Sequence, residues 1–284
     1  MRRPQGRWHR LPLPAALLMA AAATTALGSR TAPARAAEPV VRFLTYNICG
    51  GICNDGTVER PGPDNDLVEH VASLLAGERP HLAVLNEICG AQHARLVQVL
   101  EARGVPMRSA FHAQRTDGRC PAHEGVHSFG DAVLSSGPVD RTEVHRLSNR
   151  PSGRERRSLL CLRTTHHGRP LLACGLHLVA RDSGWHARQL DETVRFVRER
   201  SPELPVVLAG DFNARPSELG RLSDGAEGGF HTDIDHADDE PTHAGEKIDY
   251  VFLPDGHFRG LSGEVRPTRW SDHDMLLGQA TLVP

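Results

Sequence analysis

The chain has 284 residues, with 33 Lys and Arg against 35 Asp and Glu and a formal net charge of −2. This length is ample for one α/β domain with a large core and somewhat long for two separate domains. The sequence contains no internal repeat, low-complexity tract or long linker, which excludes repeat architectures and a largely disordered chain.

Residues 1–36 have the layout of a secretory signal peptide. Four arginines and no acid occupy the first ten residues, an apolar run follows, and the pattern Ala34-x-Ala36 precedes the expected cleavage site before Ala37. Two prolines interrupt the apolar run, so we expect cleavage rather than the alternative, a retained membrane anchor. Cleavage removes six arginines and leaves 27 basic against 35 acidic residues, a net charge of −8. We therefore expect residues 37–284 to be a secreted, acidic, monomeric protein without stable membrane insertion.

Six cysteines in an exported chain favour disulfides over metal thiolates. Cys161 and Cys174 lie symmetrically about the turn THHGRP, so on adjacent antiparallel strands they would face one another. This placement suits either a cross-strand disulfide or two packed thiols. The remaining cysteines can form two further bridges in an order that the sequence leaves open: Cys49, Cys53, Cys89 and Cys120.

Hydrophobic periodicity predicts many strands and three helices. In chain order the predicted elements are a strand at 40–48, a helix at 66–78, a strand at 81–88, a helix at 94–104, strands at 130–136, 156–164 and 171–180, a helix at 185–200, and strands at 204–213, 247–254 and 274–283. Runs such as VVLA and LAVL are apolar on both faces, as expected for a sheet that is covered on both sides. The pattern predicts a mixed α/β domain.

Polar side chains recur at the ends of these predicted strands. Asn47, Glu87, His177, Asp211 and Asp272 each lie at or just beyond a strand end, or between two strands. Strand ends and the loops beyond them are where a rigid sheet can aim functional groups. We therefore expect these residues to belong to a functional site.

The strand LPVVLAGDFN ends in Asp211 and Asn213, which fit either a helix cap or Asx turn, or a catalytic site. Glu87 follows four apolar residues, and a half-buried carboxylate there needs a cation or hydrogen-bond donors. Mg²⁺ meets that need, because it is commonly held by one or two carboxylates with water and phosphate oxygens; Mn²⁺ and Ca²⁺ are alternatives. Pairing with an arginine is the structural alternative for Glu87. Asn47 offers an amide oxygen to the same site, or simply a turn.

His177 and His273 are the candidate proton-transfer groups, since histidine titrates closest to neutral pH. A hydrogen-bonded core histidine is the alternative for His177. His273 has acids on both sides, and Asp249 lies in an apolar strand that should not tolerate an isolated carboxylate. A carboxylate that contacts an imidazole raises its pKa and fixes its tautomer.

Together these segments resemble the endonuclease/exonuclease/phosphatase superfamily, which includes deoxyribonuclease I, exonuclease III, neutral sphingomyelinases and inositol polyphosphate 5-phosphatases. The motifs that carry the resemblance, in chain order, are TYN, NE, GLHLV, GDFN, IDYVF and SDHD. The resemblance spans residues 41–284, and GDFN with a C-terminal SDH is its most specific part. It implies a four-layer α/β sandwich of two packed mixed β-sheets flanked by helices, and a metal-dependent phosphoric ester hydrolase.

The resemblance also implies roles for eight residues. The metal ligands would be Glu87, principally, with Asn47 and Asp272 near the same ion. The catalytic residues would be Asp211, which orients or activates the attacking water, Asn213, which holds a phosphate oxygen, His273, which contacts the scissile phosphate, Asp249, which orients His273, and His177, the second histidine of the deoxyribonuclease and sphingomyelinase branches.

The sequence departs from the superfamily pattern at two positions. Asn86 stands where the residue before the metal glutamate is usually Gln, and Asp131 stands where related sequences often have Asn. Neither change removes a catalytic group, so we expect an active enzyme.

The substrate is the least determined feature. Residues 141–169 contain eight arginines and two acids. This composition fits either a strip that follows a phosphate backbone, such as that of DNA, or a solvated loop. Residues 233–246 are acidic and fit a surface loop or a calcium-binding loop. We expect a Mg²⁺-dependent phosphodiesterase similar to deoxyribonuclease I. The alternatives are a phosphomonoesterase acting on nucleotides or sugar phosphates, a sphingomyelinase-like lipid phosphodiesterase, and a non-catalytic binding module of the same fold.

Overall fold

The strands in the described part of the chain form two six-stranded mixed sheets. They are seen in a computed structural model that describes residues 39–51, 64–151, 156–181, 184–223 and 231–283. In spatial order, the first sheet contains β11 (Phe258–Arg266), β12 (Met275–Leu282), β1 (Val40–Asn47), β2 (Leu82–Cys89), β4 (Ser128–Ser135) and β3 (Arg108–Thr116). The second contains β5 (Val139–Arg146), β6 (Ser158–His166), β7 (Arg169–His177), β8 (Val206–Asp211), β10 (Asp249–Pro254) and β9 (His231–Asp233).

Helices cover the outer face of each sheet. They are α1 (Asp64–Glu78), α2 (Gly90–Ala102), α3 (His186–Arg200) and the short α4 (Gly220–Ser223). Leu67 of α1 and Leu96 of α2 pack with Leu44 and Leu85 of the first sheet. Helix α3 packs on the second sheet through an amphipathic face, since its buried residues recur every three or four positions. Each helix therefore buries one apolar stripe against one sheet.

The inner faces of the two sheets pack against each other. Phe43, Val84 and Val133 of the first sheet share a buried cluster with Ala173 and Val207 of the second. Because successive side chains of a strand point to opposite faces, β1 sends Phe43 into this layer and its neighbouring residue toward the helices. The order helix, sheet, sheet, helix confirms the predicted four-layer α/β sandwich.

Parallel pairing gathers several strand ends at one edge of the sandwich. Strands β1 and β2 are parallel and place Asn47 opposite Asn86. Strands β7 and β8 are parallel and place His177 opposite Asp211, while β10 runs antiparallel to β8 and places Asp249 opposite Asp211. The polar strand ends of both sheets therefore meet on the same side of the fold.

The hairpin between β6 and β7 contains the predicted cysteine pair. Its two turn residues, His167 and Gly168, have φ values of 50° and 77°, which matches a two-residue turn with both central residues in the left-handed region. Cys161 and Cys174 are direct register partners and form a disulfide. A second bridge joins Cys89 to Cys120. Cys49 is also disulfide-bonded.

Residues Glu38–Pro284 form one compact unit. The predicted signal peptide, residues 1–36, lies outside the described residues, as does Cys53. Among the described helices none has the length and hydropathy needed to cross a membrane. The domain boundary and the cleavage site stay predictions.

Candidate active site

The gathered strand ends line a cavity of about 540 Å³. Its walls contain six of the eight predicted site residues: Glu87, His177, Asp211, Asn213, Asp272 and His273. The other two lie directly behind the wall, because Asn47 donates to Asp211 Oδ2 at 3.2 Å and Asp249 is 2.8 Å from His273 Nδ1. The structure therefore brings all eight residues into one site, although their chemical roles stay predictions.

A β-bulge aims Glu87 into the cavity. Along the pairing of β2 with β4, Leu85 faces Ala132 and Ile88 faces Gly130, so Asn86 and Glu87 together oppose Asp131. Glu87 has φ of 57°, a left-handed conformation that is uncommon for a residue with a side chain. A bulge bends its strand and redirects a side chain, which explains how a glutamate in an apolar strand reaches the site.

The two departures from the superfamily pattern are hydrogen-bond partners that support this bulge. Asp131 Oδ1 accepts the Asn86 side-chain amide at 3.0 Å and the Glu87 backbone N–H at 3.4 Å. Asn86 also accepts the backbone N–H of Asp211 at 3.0 Å and donates to the Leu176 carbonyl at 2.9 Å. Asn86 thus joins β2 of the first sheet to β7 and β8 of the second.

Gly210 permits this close approach of the two sheets. A Cβ at this position would lie 2.0 Å from the Leu176 carbonyl oxygen and 3.1 Å from Asn86 Oδ1, and the φ of Gly210 is 135°. Only glycine fits such backbone and such space. The glycine that ends the apolar run of β8 is therefore a packing requirement of the site.

Asp211 is buried with its carboxylate surrounded by site residues. Oδ1 accepts the backbone N–H of Asn213 at 2.8 Å, and Oδ2 lies 3.3 Å from His177 Nε2. Burial, followed by the nearby charge of Asp249, raises the pKa of Asp211 to about 7. The Asx-turn alternative is realised together with the site geometry, because the same carboxylate holds the turn and faces the cavity.

His273 and Asp249 form a buried ion pair. His273 Nδ1–H donates to Asp249 Oδ2 at 2.8 Å. Burial alone would lower the pKa of His273, but Asp249, Asp211 and Asp272 raise it to about 10. The protonated ring therefore keeps a fixed orientation and directs Nε2–H toward Asp211, 3.8 Å away.

His177, in contrast with His273, is uncharged. Burial lowers the pKa of His177 well below its usual value, with further contributions from Arg157 and His273. At neutral pH the ring is neutral and Nε2–H can donate to Asp211 Oδ2. The site thus offers one neutral and one cationic imidazole beside the same carboxylate.

Four ionisable residues of the cavity wall were not predicted as site residues from the sequence: Arg157, Arg181, His243 and Glu246. The His243 ring packs on the His273 ring with 4.4 Å between centroids, and its Nε2 is 3.9 Å from Asp272 Oδ2. Arg181 is ion-paired with Glu246. His243 and Arg181 lie in loops without a motif, whereas Arg157 belongs to the arginine-rich segment 141–169 that the sequence offers as a strip along a phosphate backbone.

The comparisons with known proteins agree with this geometry. A model of the Endonuclease/Exonuclease/phosphatase family matches residues 44–273. The chain belongs to this family. Its members are metal-dependent phosphoric ester hydrolases, so the protein is an enzyme of this type. No curated protein matches the chain.

Solved structures of the family share the fold. An endonuclease/exonuclease/phosphatase from Beutenbergia cavernae DSM 12333 is 26% identical with a TM-score of 0.66, covering 86% of this chain and 72% of that one. TDP2 from C. elegans is 18% identical with a TM-score of 0.61, covering 85% and 75%. The human Nocturnin catalytic domain, solved with a bound sulfate anion, is 16% identical with a TM-score of 0.65, covering 87% and 96%.

The residues of the site fit the divalent ion that the family uses. Candidate ligand atoms of Asp211, Asp249 and His273 lie within 4.8 Å of one another, as do those of His243, Asp272 and His273. While the His273 ring is protonated it cannot bind a metal, so the carboxylate oxygens and the His243 ring are the usable ligands of these groups. Asp249 Oδ1 is buried and has no hydrogen-bond partner among the described residues. Hard cations favour such carboxylate oxygens.

The orientation of Asn47 bears on its predicted role as a ligand. Asn47 Oδ1 accepts the backbone N–H of Cys49 at 3.1 Å, so the amide NH₂ faces Glu87 Oε1 at 3.3 Å. In this orientation the side chain donates hydrogen bonds into the site. Metal ligation by Asn47 requires the amide to rotate and stays a prediction.

Proposed function

We propose that the protein is a secreted, Mg²⁺-dependent phosphodiesterase that acts as a deoxyribonuclease-like endonuclease. The observation that supports this most is the placement of Asp211 between a neutral and a cationic histidine on the wall of a cavity that also contains Glu87. This set provides an acceptor for the proton of water and donors for phosphoryl oxygens, as phosphodiester hydrolysis requires.

Asp211 is the proposed acceptor for the attacking water. Its Oδ1 accepts the Asn213 N–H, while Oδ2 faces both histidines and is the oxygen proposed to orient the water and take its proton. Asn47 donates to that oxygen at 3.2 Å and fixes its position. A held carboxylate reduces the reorganisation needed as the oxygen–phosphorus bond forms.

The histidines are the proposed donors to the phosphate. His177 Nε2–H and His273 Nε2–H both point toward Asp211 Oδ2, and both can donate to phosphoryl oxygens when a substrate lies there. Asp249 keeps the His273 ring in place through Nδ1. Such preorganised donors stabilise the negative charge that grows on phosphoryl oxygens.

Glu87 and Asp272 are the proposed ligands of the metal ion, with Asn47 beside them. When bound, Mg²⁺ supplies positive charge that stabilises the phosphoryl and leaving oxygens. Mn²⁺ and Ca²⁺ have the same preference for oxygen ligands and are the alternative ions.

Surface composition favours a soluble phosphodiester over a lipid substrate. Enzymes that work on bilayers insert exposed apolar residues into the interface. Within the described ranges, the exposed large hydrophobic residues are Val126 and Val144 alone. Trp185 contacts Arg188, and Trp270 stacks on His70 with 5.0 Å between ring centroids, so neither tryptophan is presented as a membrane wedge.

Secretion is supported by the features of residues 1–36 and by the disulfides. Structural disulfides persist in oxidising compartments. Processing is tested by expressing the full chain in a bacterium with an active export pathway and sequencing the N-terminus of the protein in the medium. An N-terminus at Ala37 is expected, and retention of the protein in the cytoplasm at full length would contradict the proposal.

A three-substrate assay tests the activity. Supercoiled plasmid, sphingomyelin vesicles and nucleoside monophosphates are incubated with the protein in Mg²⁺ or EDTA, with His273→Ala as the control for contaminating nuclease. We expect Mg²⁺-dependent nicking of plasmid that falls at least about 10²-fold in the variant. Phosphate release without nicking would overturn the nuclease proposal, and no turnover of any substrate would overturn the proposal as a whole.

A further inference from the structure

A second cavity adjoins the catalytic one and shares a residue with it. It measures about 500 Å³, and the polar side chains that line it are His112, Arg146, Asn149, Arg156 and Arg157. Arg157 also lines the catalytic cavity. We name this second cavity the arginine groove; a ligand that reaches Arg157 from the active site can continue into it.

The groove lies where the edge strands of the two sheets meet. His112 is in β3, Arg146 ends β5, and Arg156 and Arg157 directly precede β6. The Arg156 backbone N–H donates to the Gln114 carbonyl at 2.9 Å across the two sheets. The groove is therefore formed by the sandwich itself.

Arg157 is held at the junction of the two cavities. Its backbone N–H donates to Asn149 Oδ1 at 2.8 Å, and its guanidinium Nη1 donates to Gln114 Oε1 at 3.1 Å. Gln114 in turn donates to Asp131, which supports the bulge at Glu87. A buried guanidinium in such a frame is held in a fixed orientation.

The charge of the groove is positive and is not neutralised locally. Arg146 and Arg156 are exposed, and no carboxylate of the described residues pairs with either one. The pKa of His112 is lowered by burial and then by the charge of Arg146. His112 is therefore the uncharged member of the groove, and the arginines supply its positive charge.

Three other arginines of the protein are ion-paired, in contrast with Arg146 and Arg156. Arg215 is paired with Glu246, Arg221 with Asp191, and Arg266 with Glu78. Paired guanidiniums have satisfied donors, whereas Arg146 and Arg156 have no carboxylate partner among the described residues and can bind a ligand. Guanidinium groups match the oxygen geometry of phosphate and bind it bidentately.

We infer that the arginine groove binds the phosphate backbone of a nucleic-acid strand next to the phosphate cleaved in the active site. The inference rests on the proposed phosphodiesterase function and assigns its substrate class. Shared use of Arg157 makes the path between the two cavities continuous, as a chain of phosphodiesters requires. The local positive charge offsets the acidic net charge of the chain, because screening limits interactions between exposed charges to about 10 Å.

The test compares a long and a minimal substrate. The double variant Arg146→Gln/Arg156→Gln is assayed with a single-stranded oligonucleotide and with bis(p-nitrophenyl) phosphate, and the control is Arg195→Gln/Arg198→Gln, which lines a separate cavity on α3. We expect the loss of kcat/KM on the oligonucleotide to exceed the loss on the minimal diester by at least about 10-fold. The slope of log kcat/KM against log salt should become shallower by about 0.7 for each lost phosphate contact.

Binding in EDTA makes the result independent of activity. Fluorescence anisotropy with a labelled oligonucleotide should show a similar weakening in the groove variant and none in the control. Equal binding by the groove variant, the control and the wild type would overturn the inference that the groove binds a nucleic-acid strand. Equal losses of kcat/KM on both substrates would also overturn it. A wild-type protein that binds the oligonucleotide through the groove but cleaves neither substrate would overturn the proposed function alone. Unchanged circular dichroism and Tm establish that the variants are folded.

Discussion

Two groups of acids lie beside the second sheet, and they differ in what surrounds them. In the first, the Lys247 ammonium contacts Asp233 at 2.6 Å, Asp235 at 2.9 Å and Asp239 at 3.2 Å. We call this group the lysine cluster. Its cation is part of the chain, so the cluster is complete without a ligand.

The second group lies in the active site, where Asp211 and Asp249 have no lysine or arginine partner among the described residues. Burial and the proximity of Asp249 raise the pKa of Asp211 to about 7, and His273 supplies the nearest positive charge. This arrangement fits a site that receives an external cation. The lysine cluster is thus neutralised by a buried lysine, whereas Asp211 and Asp249 share one histidine cation beside an open cavity.

The lysine cluster includes acids of the segment 233–246. The composition of this segment fits a surface loop or a calcium-binding loop. In the structure the ammonium of Lys247 lies among the carboxylates of the lysine cluster, where a bound calcium ion would otherwise be expected. The segment is therefore a structural element that is cross-linked by one buried lysine.

Removal of the internal cation should have the largest effect on stability. Lys247→Met leaves buried carboxylates without a partner, and breaking a buried ion pair in this way costs about 3–5 kcal/mol of unfolding free energy. Urea unfolding followed by circular dichroism measures the change, with Arg195→Gln as the control at an exposed position. A loss below about 1 kcal/mol would show that the lysine cluster is not a stabilising unit.

Removal of the Asp211 carboxylate should affect the rate and leave stability intact. Asp211→Asn is expected to lower kcat/KM at least about 10²-fold. The free energy of unfolding should stay the same or rise, because burial disfavours the charge of Asp211. Kinetics and urea unfolding of the same preparation check both parts, and a variant that loses stability as Lys247→Met does would erase the distinction between the two groups.

The support of the Glu87 bulge should have an intermediate effect. Asp131→Ala removes the acceptor for Asn86 and for the Glu87 backbone, and we expect kcat/KM to fall about 10-fold, as for residues that orient a metal ligand. Asp131→Asn keeps one acceptor oxygen and should lose less. A rise in the Mg²⁺ concentration needed for half-maximal rate distinguishes a positioning role from general destabilisation. The expectation fails if the alanine variant requires no more Mg²⁺ than the wild type.

The smallest effect is expected on the pH dependence of stability, through His93, a partly buried histidine. Burial lowers the pKa of His93 from 6.5 to about 4. The unfolded chain therefore binds a proton first as the pH falls, so this stability is present above pH 6.5 and is lost as the pH decreases toward 4. We expect His93→Gln to reduce the fall in stability between pH 7 and pH 4.5 by about 1–2 kcal/mol, measured by urea unfolding. Parallel curves for variant and wild type would contradict this.

The four strands absent from the predicted pattern are the four sheet edges. Strands β3 and β11 border the first sheet, and β5 and β9 border the second. Segments such as VDRTEVHR are largely solvent-exposed and carry charges, as edge strands do to prevent further pairing. Hydrophobic patterning finds strands that are buried on both faces, so it identified the interior of each sheet and not its borders.

The site shows a similar division. Residues within motifs at strand ends, such as Asp211 and His273, could be identified from the sequence, and the structure places them together. The bulge at Glu87 and the contact between Asn86 and Asp131 depend on strand pairing, which periodicity does not specify. His243 reaches the cavity from an irregular loop, and its position follows from tertiary packing alone.

Metal binding is the most direct test of the claim that an external cation binds in the catalytic cavity, which contains Glu87, and not at the lysine cluster. Mn²⁺ binding is measured by water proton relaxation for the wild type, for Glu87→Gln, and for Asp239→Asn in the lysine cluster. We predict that Glu87→Gln weakens Mn²⁺ affinity at least about 10-fold and that Asp239→Asn leaves it unchanged. Equal affinity in the wild type and Glu87→Gln, or a loss confined to Asp239→Asn, would contradict the assignment of the metal site to the catalytic cavity.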